Sequence, residues 1–111
     1  MVKLLEIINP IFREYSAPLK QSGLNLDLDI KNPVLEVKTP EIIEFEVKKY
    51  LEWTSSQGKK QGSVVISDSA NQITIHDDST VLTPEEKQMF ASDATSVKSR
   101  VGFGTTFSIN I

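Results

Sequence analysis

Short alternating segments in this chain come in adjacent pairs, and the linkers within each pair are too brief to hold a helix. Ser63 to Ser67 runs into Gln72 to Asp77 across Asp68-Ser69-Ala70-Asn71, a residue set suited to a hairpin. Val97 to Val101 runs into Thr105 to Ile111 across Gly102-Phe103-Gly104 in the same manner. In the first pair Ile73 and Ile75 point one way and Thr74 and His76 the other. Such pairing favours a mostly antiparallel sheet, which needs helices to cover one face.

Two long amphipathic segments can supply that cover. From Val2 to Ser22, Leu4, Leu5, Ile8, Ile11, Phe12, Tyr15 and Leu19 recur at spacings of three and four. Asn9-Pro10 reads as an N-cap followed by a first helical position, which predicts a lead helix handing over to a second one, and Pro18 is expected to kink or end it. Gly23 stops the segment. Leu24, Leu26, Leu28 and Ile30 then alternate with polar residues as a strand with one wet face, and Lys31-Asn32-Pro33 turns the chain into Val34 to Val37, a second strand or an extended link. Thr39-Pro40-Glu41 opens a helix expected to reach about Gln57, with Ile43, Val47, Tyr50, Leu51 and Thr54 as its buried stripe. Thr83-Pro84-Glu85-Glu86 is a capping box before a short helix whose apolar face is Met89 and Phe90. The expected architecture is one α/β domain over residues 1–111, a two-layer α/β sandwich with two long helices on one face of a mixed, mostly antiparallel sheet.

Composition narrows the chemistry. The 111 residues hold no cysteine and one histidine, which excludes thiol catalysis and cysteine-ligated metal, and no metal site is expected. A net charge of −3 with scattered lysines offers no basic stripe for nucleic acid. The apolar start, MVKLLEIINPIF, is too short to span a membrane and lacks a small-residue cleavage site, so the expectation is a cytoplasmic protein without membrane contact.

Several of these segments together resemble the ATP-binding domain of histidine kinases, the Bergerat fold. Ile73-Thr74-Ile75-His76-Asp77-Asp78-Ser79-Thr80-Val81-Leu82-Thr83-Pro84 is similar to that family's aspartate-glycine stretch, with Asp77 at the adenine-reading position. Gly104-Thr105-Thr106-Phe107 matches its closing motif, and Phe90 sits like the phenylalanine that follows the aspartate. The resemblance places Trp53 at the asparagine that holds magnesium, Lys49 at the other asparagine of the same box, and Ser79 and Val81 at two glycines. Only Ala91-Ser92-Asp93-Ala94 stands where the glycine-rich lid would be. It therefore implies a degenerate domain with no catalytic residues, no cofactor and no ATPase or kinase activity.

Each candidate position carries two readings. Asp77 is a relic nucleotide contact or a solvated turn acid, and His76 a surface residue. Trp53 fills the vacated pocket or stands exposed as a binding anchor, and Phe103 protrudes as a contact or packs on its own turn. Lys59-Lys60 reads as a solvated pair. The lead segment, with Leu4, Leu5 and Ile8, is apolar on too many sides for a lone surface helix, which points to a partner or a homodimer. The function expected is a non-catalytic protein-binding or regulatory module of two-component signalling, docking to a histidine kinase, a response regulator or itself. The alternative is a residual ATP-binding domain of a kinase complex.

Overall fold

A computed structural model describes residues 2–58 and 60–111. The chain begins with the two-residue strand β1 (Val2–Lys3) and the helix α1 (Leu4–Gln21), followed by β2 (Leu24–Asp29) and the two-residue β3 (Glu36–Val37). Helix α2 (Pro40–Ser55) leads to β4 (Gly62–Ser69) and β5 (Gln72–Asp77), and the short α3 (Pro84–Phe90) precedes β6 (Thr95–Arg100) and β7 (Gly104–Asn110). The main sheet has the order β2-β4-β5-β7-β6. β2 runs parallel to β4 and every other pair is antiparallel. This is the mixed two-layer arrangement expected from the paired strands.

The alternation along each strand sorts the sheet into a dry and a wet face. One cross-strand row joins Leu28, Ile66, Ile75, Phe107 and Val97, and the row beside it brings Ile73 against Ile109. Both rows meet the apolar sides of α1 and α2. The opposite face carries Asp27, Val65, His76, Thr106 and Lys98 in one row. At the far end of β4 the Asp68 carboxylate accepts the amides of Lys31 and Asn32 at 2.6 and 3.0 Å, pinning the turn that leaves β2.

Three expectations need correction. Helix α1 is not divided at Pro10 and does not end at Pro18; both prolines lie inside it. Each removes one helical amide and leaves a carbonyl unmatched four residues back, at Glu6 and Glu14. All four residues are exposed, so water can meet the orphaned carbonyls. The apolar lead is explained by the chain itself: Leu4 and Ile8 are fully buried in its core and present no contact surface, while Leu5 is half-buried. The loop after β2 crosses the start of α1, where the Leu35 and Pro33 carbonyls accept the Leu4 and Leu5 amides at 2.7 and 3.1 Å, two of the amides a helix start leaves free. Val34 to Val37 is mostly loop, with only Glu36 and Val37 paired to β1. Among the described residues no helix is long and apolar enough to cross a membrane.

Ile8→Ala should cost about 2–5 kcal/mol by opening a cavity in the core. Pro10→Ala should stabilise the fold by about 1 kcal/mol or more, because it restores a helical hydrogen bond at an exposed site. Denaturant titrations of both variants check the two signs.

Candidate functional site

Asp77 ends β5 in phase with Ile73 and Ile75, so its side chain enters the dry face and is 0 % exposed. A buried carboxylate is costly unless its lone pairs are matched by donors. Helix α2 supplies two of them from positions one turn apart. The Tyr50 hydroxyl donates to Oδ2 at 2.8 Å and the Thr54 hydroxyl donates to the same oxygen at 2.9 Å. Oδ1 accepts the Ser79 amide at 2.9 Å and the Ser79 hydroxyl at 2.5 Å. An ionised carboxylate has about four acceptor sites, and four donors from this chain fill them.

The surrounding backbone holds that cluster in place. Thr105 pairs with Asp77 across the sheet, donates its hydroxyl to the Thr80 carbonyl at 2.8 Å and shares a 2.9 Å bond with Ser99. The Ser99 hydroxyl accepts the Leu82 amide at 2.7 Å, so the loop after Asp77 is tied to β6 and β7. Gly104 sits at φ +80°, and a Cβ there would lie 2.3 Å from the Asp77 carbonyl oxygen; this close approach is why the closing motif begins with glycine.

The Tyr50 ring, whose hydroxyl reaches the carboxylate, is part of an aromatic group. Tyr50 stacks on Phe107 with centroids 5.6 Å apart, and Phe90 lies 5.2 Å from Tyr50 and 5.8 Å from Phe107. Trp53 meets Phe90 edge-on at 5.4 Å and is half-buried, so it belongs to this cluster while keeping one side at the surface. Lys49 donates to the Met89 carbonyl at 2.8 Å, which caps the end of α3, and lies 5.6 Å from the Phe90 ring centre. Lys60 donates to the Thr80 hydroxyl at 2.7 Å and lies over the Trp53 ring at 5.5 Å. Open surface remains on both sides of Trp53: a depression of about 280 Å³ is lined in part by Trp53, Lys60, Thr80 and Glu86, and a wider one of about 620 Å³ in part by Phe45, Lys49, Glu52 and Trp53.

Two readings of this region are corrected by the geometry. Asp77 is a buried acceptor and not a solvated turn acid. Lys60 is half-buried and bonded, not solvated; Lys59 lies outside the described residues. His76 is exposed, with Nδ1 2.9 Å from the Thr106 hydroxyl. Phe103 protrudes, 68 % exposed, on the β6–β7 turn, and lines a different depression from Trp53. Sequence reasoning missed Tyr50, Thr54 and Ser79 as partners of Asp77. The signal was present in a polar Thr54 inside an apolar stripe and in the even spacing from Ile73 to Asp77.

The fit of a magnesium nucleotide can be tested on these atoms. An adenine amino group needs a free acceptor on Asp77, and all of its lone pairs are engaged. Trp53, which the resemblance sets at the metal-holding position, offers an indole where magnesium requires oxygen, and Lys49, at the other asparagine of that box, offers an ammonium. Among the described residues no three His, Asp or Glu side chains gather as a metal site. The residues present do not fit the group.

Burial and the Asp77 carboxylate push the Tyr50 phenol above its ordinary value, and burial with the Glu52 carboxylate, which accepts the Tyr15 hydroxyl at 2.5 Å, does the same for Tyr15. The folded state therefore holds these protons more tightly than the unfolded chain. Their stabilisation is intact below about pH 10 and declines as pH rises further. Lys60, pushed down by burial, has the opposite sign, and its contribution is complete near pH 10.5. Unfolding titrations above that pH should show falling stability, with tyrosinate absorbance appearing only as the chain unfolds. Tyr50→Phe should cost about 1.5–3 kcal/mol, the worth of a hydrogen bond to a charged acceptor, and a double-mutant cycle with Thr54→Val should be non-additive.

No family model matches the sequence, and no curated protein matches it. Solved structures do match in shape. The catalytic domain of histidine kinase ThkA superposes with a TM-score of 0.71 at 11% identity, covering 98% of this chain and 92% of that one. The Acinetobacter baumannii histidine kinase AdeS gives 0.72 at 14% identity, covering 98% of this chain and 64% of that one. The histidine kinase domain of the Erythrobacter litoralis EL346 blue-light activated histidine kinase gives 0.75 at 14%, covering 99% and 61%. The chain thus spans nearly all of one isolated catalytic domain and under two thirds of the other two proteins. The mixed five-stranded sheet, the helical layer on its dry face and these superpositions identify the chain as a domain with the fold of histidine kinase catalytic domains.

Proposed function

We propose that this chain is a non-catalytic protein-binding or regulatory module, derived from a histidine kinase catalytic domain and acting in phosphorelay signalling through contact with a kinase or a response regulator. The observation that carries this reading is the Asp77 carboxylate, whose two oxygens already accept from Tyr50, Thr54 and Ser79. To read an adenine it must surrender one of these bonds, each worth about 1.5–3 kcal/mol. Micromolar affinity asks for about 8 kcal/mol in total. The phosphates would gain nothing from Trp53, and Lys49 is committed to the Met89 carbonyl. Without a metal ligand, charge on a transferring phosphoryl group has no partner.

A scaffold freed from catalysis keeps its exposed side chains for recognition. Phe45 and Phe103 are 62 % and 68 % exposed, and Trp53 shows one edge. Large aromatic side chains at a surface are the residues that anchor partners.

Thermal unfolding in the presence of ATP and magnesium tests the reading. A ligand at a thousand times its dissociation constant stabilises by about 4 kcal/mol, which moves the midpoint of a domain this size by more than about 10 °C. The expected shift at millimolar nucleotide is below about 2 °C and unaltered by Asp77→Asn. A saturating shift that Asp77→Asn abolishes would refute the module and favour the nucleotide-binding alternative.

A further inference from the structure

The wet face of the sheet is electrically lopsided. Asp27 and Asp29 lie on β2 at one edge, Lys98 and Arg100 on β6 at the other, and His76 stands on β5 between them. In the row that crosses the sheet, Val65 and Thr106 separate Asp27, His76 and Lys98, and among the described residues no ion pair engages Lys98 or Arg100. The chain is acidic as a whole, with a net charge of −3, yet this corner gathers basic groups.

The corner is also hollow. A cleft of about 560 Å³ opens between His76, Lys98, Arg100 and the β6–β7 turn. Gly104 pairs with Arg100 and leaves its floor without a side chain. Thr106 adds a hydroxyl beside His76. The one acid at its margin, Asp78, uses a carboxylate oxygen to accept the Ser63 amide at 2.7 Å.

Phe103 closes one end. Its amide donates to the Arg100 carbonyl at 3.0 Å, and Gly102, at φ +87°, completes the turn that carries the ring at its tip. The Arg100 guanidinium lies over that ring at 5.2 Å. Lysine on an edge strand also discourages strand pairing, but edge protection gives no reason for an exposed aromatic ring beside arginine at the mouth of a cleft. Aromatic and arginine side chains at a surface are the usual anchors of protein contacts.

We infer that this cleft binds an acidic segment of a partner protein, its carboxylates meeting Lys98, Arg100 and His76 and an apolar side chain resting on Phe103. Lys98 and Arg100 project from β6 and the His76 imidazole, a hydrogen-bonding group, from β5, two strands that flank β7 roughly 10 Å apart. That spread suits successive carboxylates of an extended chain better than one compact phosphate. The inference rests on the protein-binding reading and gives it a surface.

The test uses the whole chain, isotope-labelled, titrated with the peptide Asp-Glu-Asp-Phe-Asp-Glu, with Lys-Arg-Lys-Phe-Lys-Arg as control and inorganic phosphate as a third arm. Expected are saturable amide shifts at His76, Lys98, Arg100, Phe103 and Thr106 with the acidic peptide alone, weakening with added salt. The double variant Lys98→Glu with Arg100→Glu should lose about tenfold or more in affinity. Phe103→Ala should lose severalfold. Both variants alter exposed side chains, and unchanged unfolding midpoints would show that they fold. Binding that survives charge reversal, or saturable shifts with phosphate and none with peptide, overturns the inference. Peptide shifts confined to α2 and Trp53 overturn it too while leaving a protein-binding module standing. Shifts at Asp77 on adding ATP would instead undo the functional reading itself.

Discussion

The fold is organised around the fully buried carboxyl group of Asp77. Asp77 lies on the dry face at the end of a central strand, beside the row of Ile66, Ile75 and Phe107, and a carboxylate there is tolerable only because every acceptor site is used. Tyr50 and Thr54 bring α2 down onto β5, and Ser79 bends the following loop back over the strand end. Thr105, Ser99 and Thr80 extend this bonding to the closing hairpin. The helical layer, the sheet and the loop thus meet at a single side chain.

The same economy accounts for the functional reading. A histidine kinase catalytic domain and this chain share a shape, and in this chain the polar capacity at Asp77 is met from within. Where a nucleotide site needs open acceptors and room, the chain has hydroxyl donors and a packed group of Tyr50, Trp53, Phe90 and Phe107. Lys49 and Lys60 join the aromatic faces and nearby oxygens of that group and are spent on structure. The opposite face keeps its charge unpaired, at Lys98 and Arg100.

Much of the architecture was legible from periodicity and turn chemistry. The paired strands, the Thr39-Pro40 and Thr83-Pro84 helix starts and the wet face of β2 follow from local rules that tertiary packing reinforces. Local rules failed where burial overrode them. Pro10 and Pro18 read as breaks, yet the apolar stripe of α1 is long enough for packing to carry the helix through both. Leu4 and Ile8 read as surface because the loop from Ile30 to Val37 and the strand β1, which cover that end, involve few residues and no strong pattern. At the site, Asp77 was found through its motif but not its environment. Its partners lie 27 and 23 residues back on another element, and no spacing rule joins a strand-end acid to two helical hydroxyls.

The most direct measurement follows the donors themselves. Hydrogen-bonded hydroxyl protons of Tyr50 and Thr54 and the amide of Ser79 can be observed by nuclear magnetic resonance as magnesium and ATP are added. If the carboxylate is wholly engaged within the chain, all three signals persist, protected from solvent and unmoved at millimolar nucleotide. Saturating shifts at these three signals, with either hydroxyl released to exchange, would contradict the account.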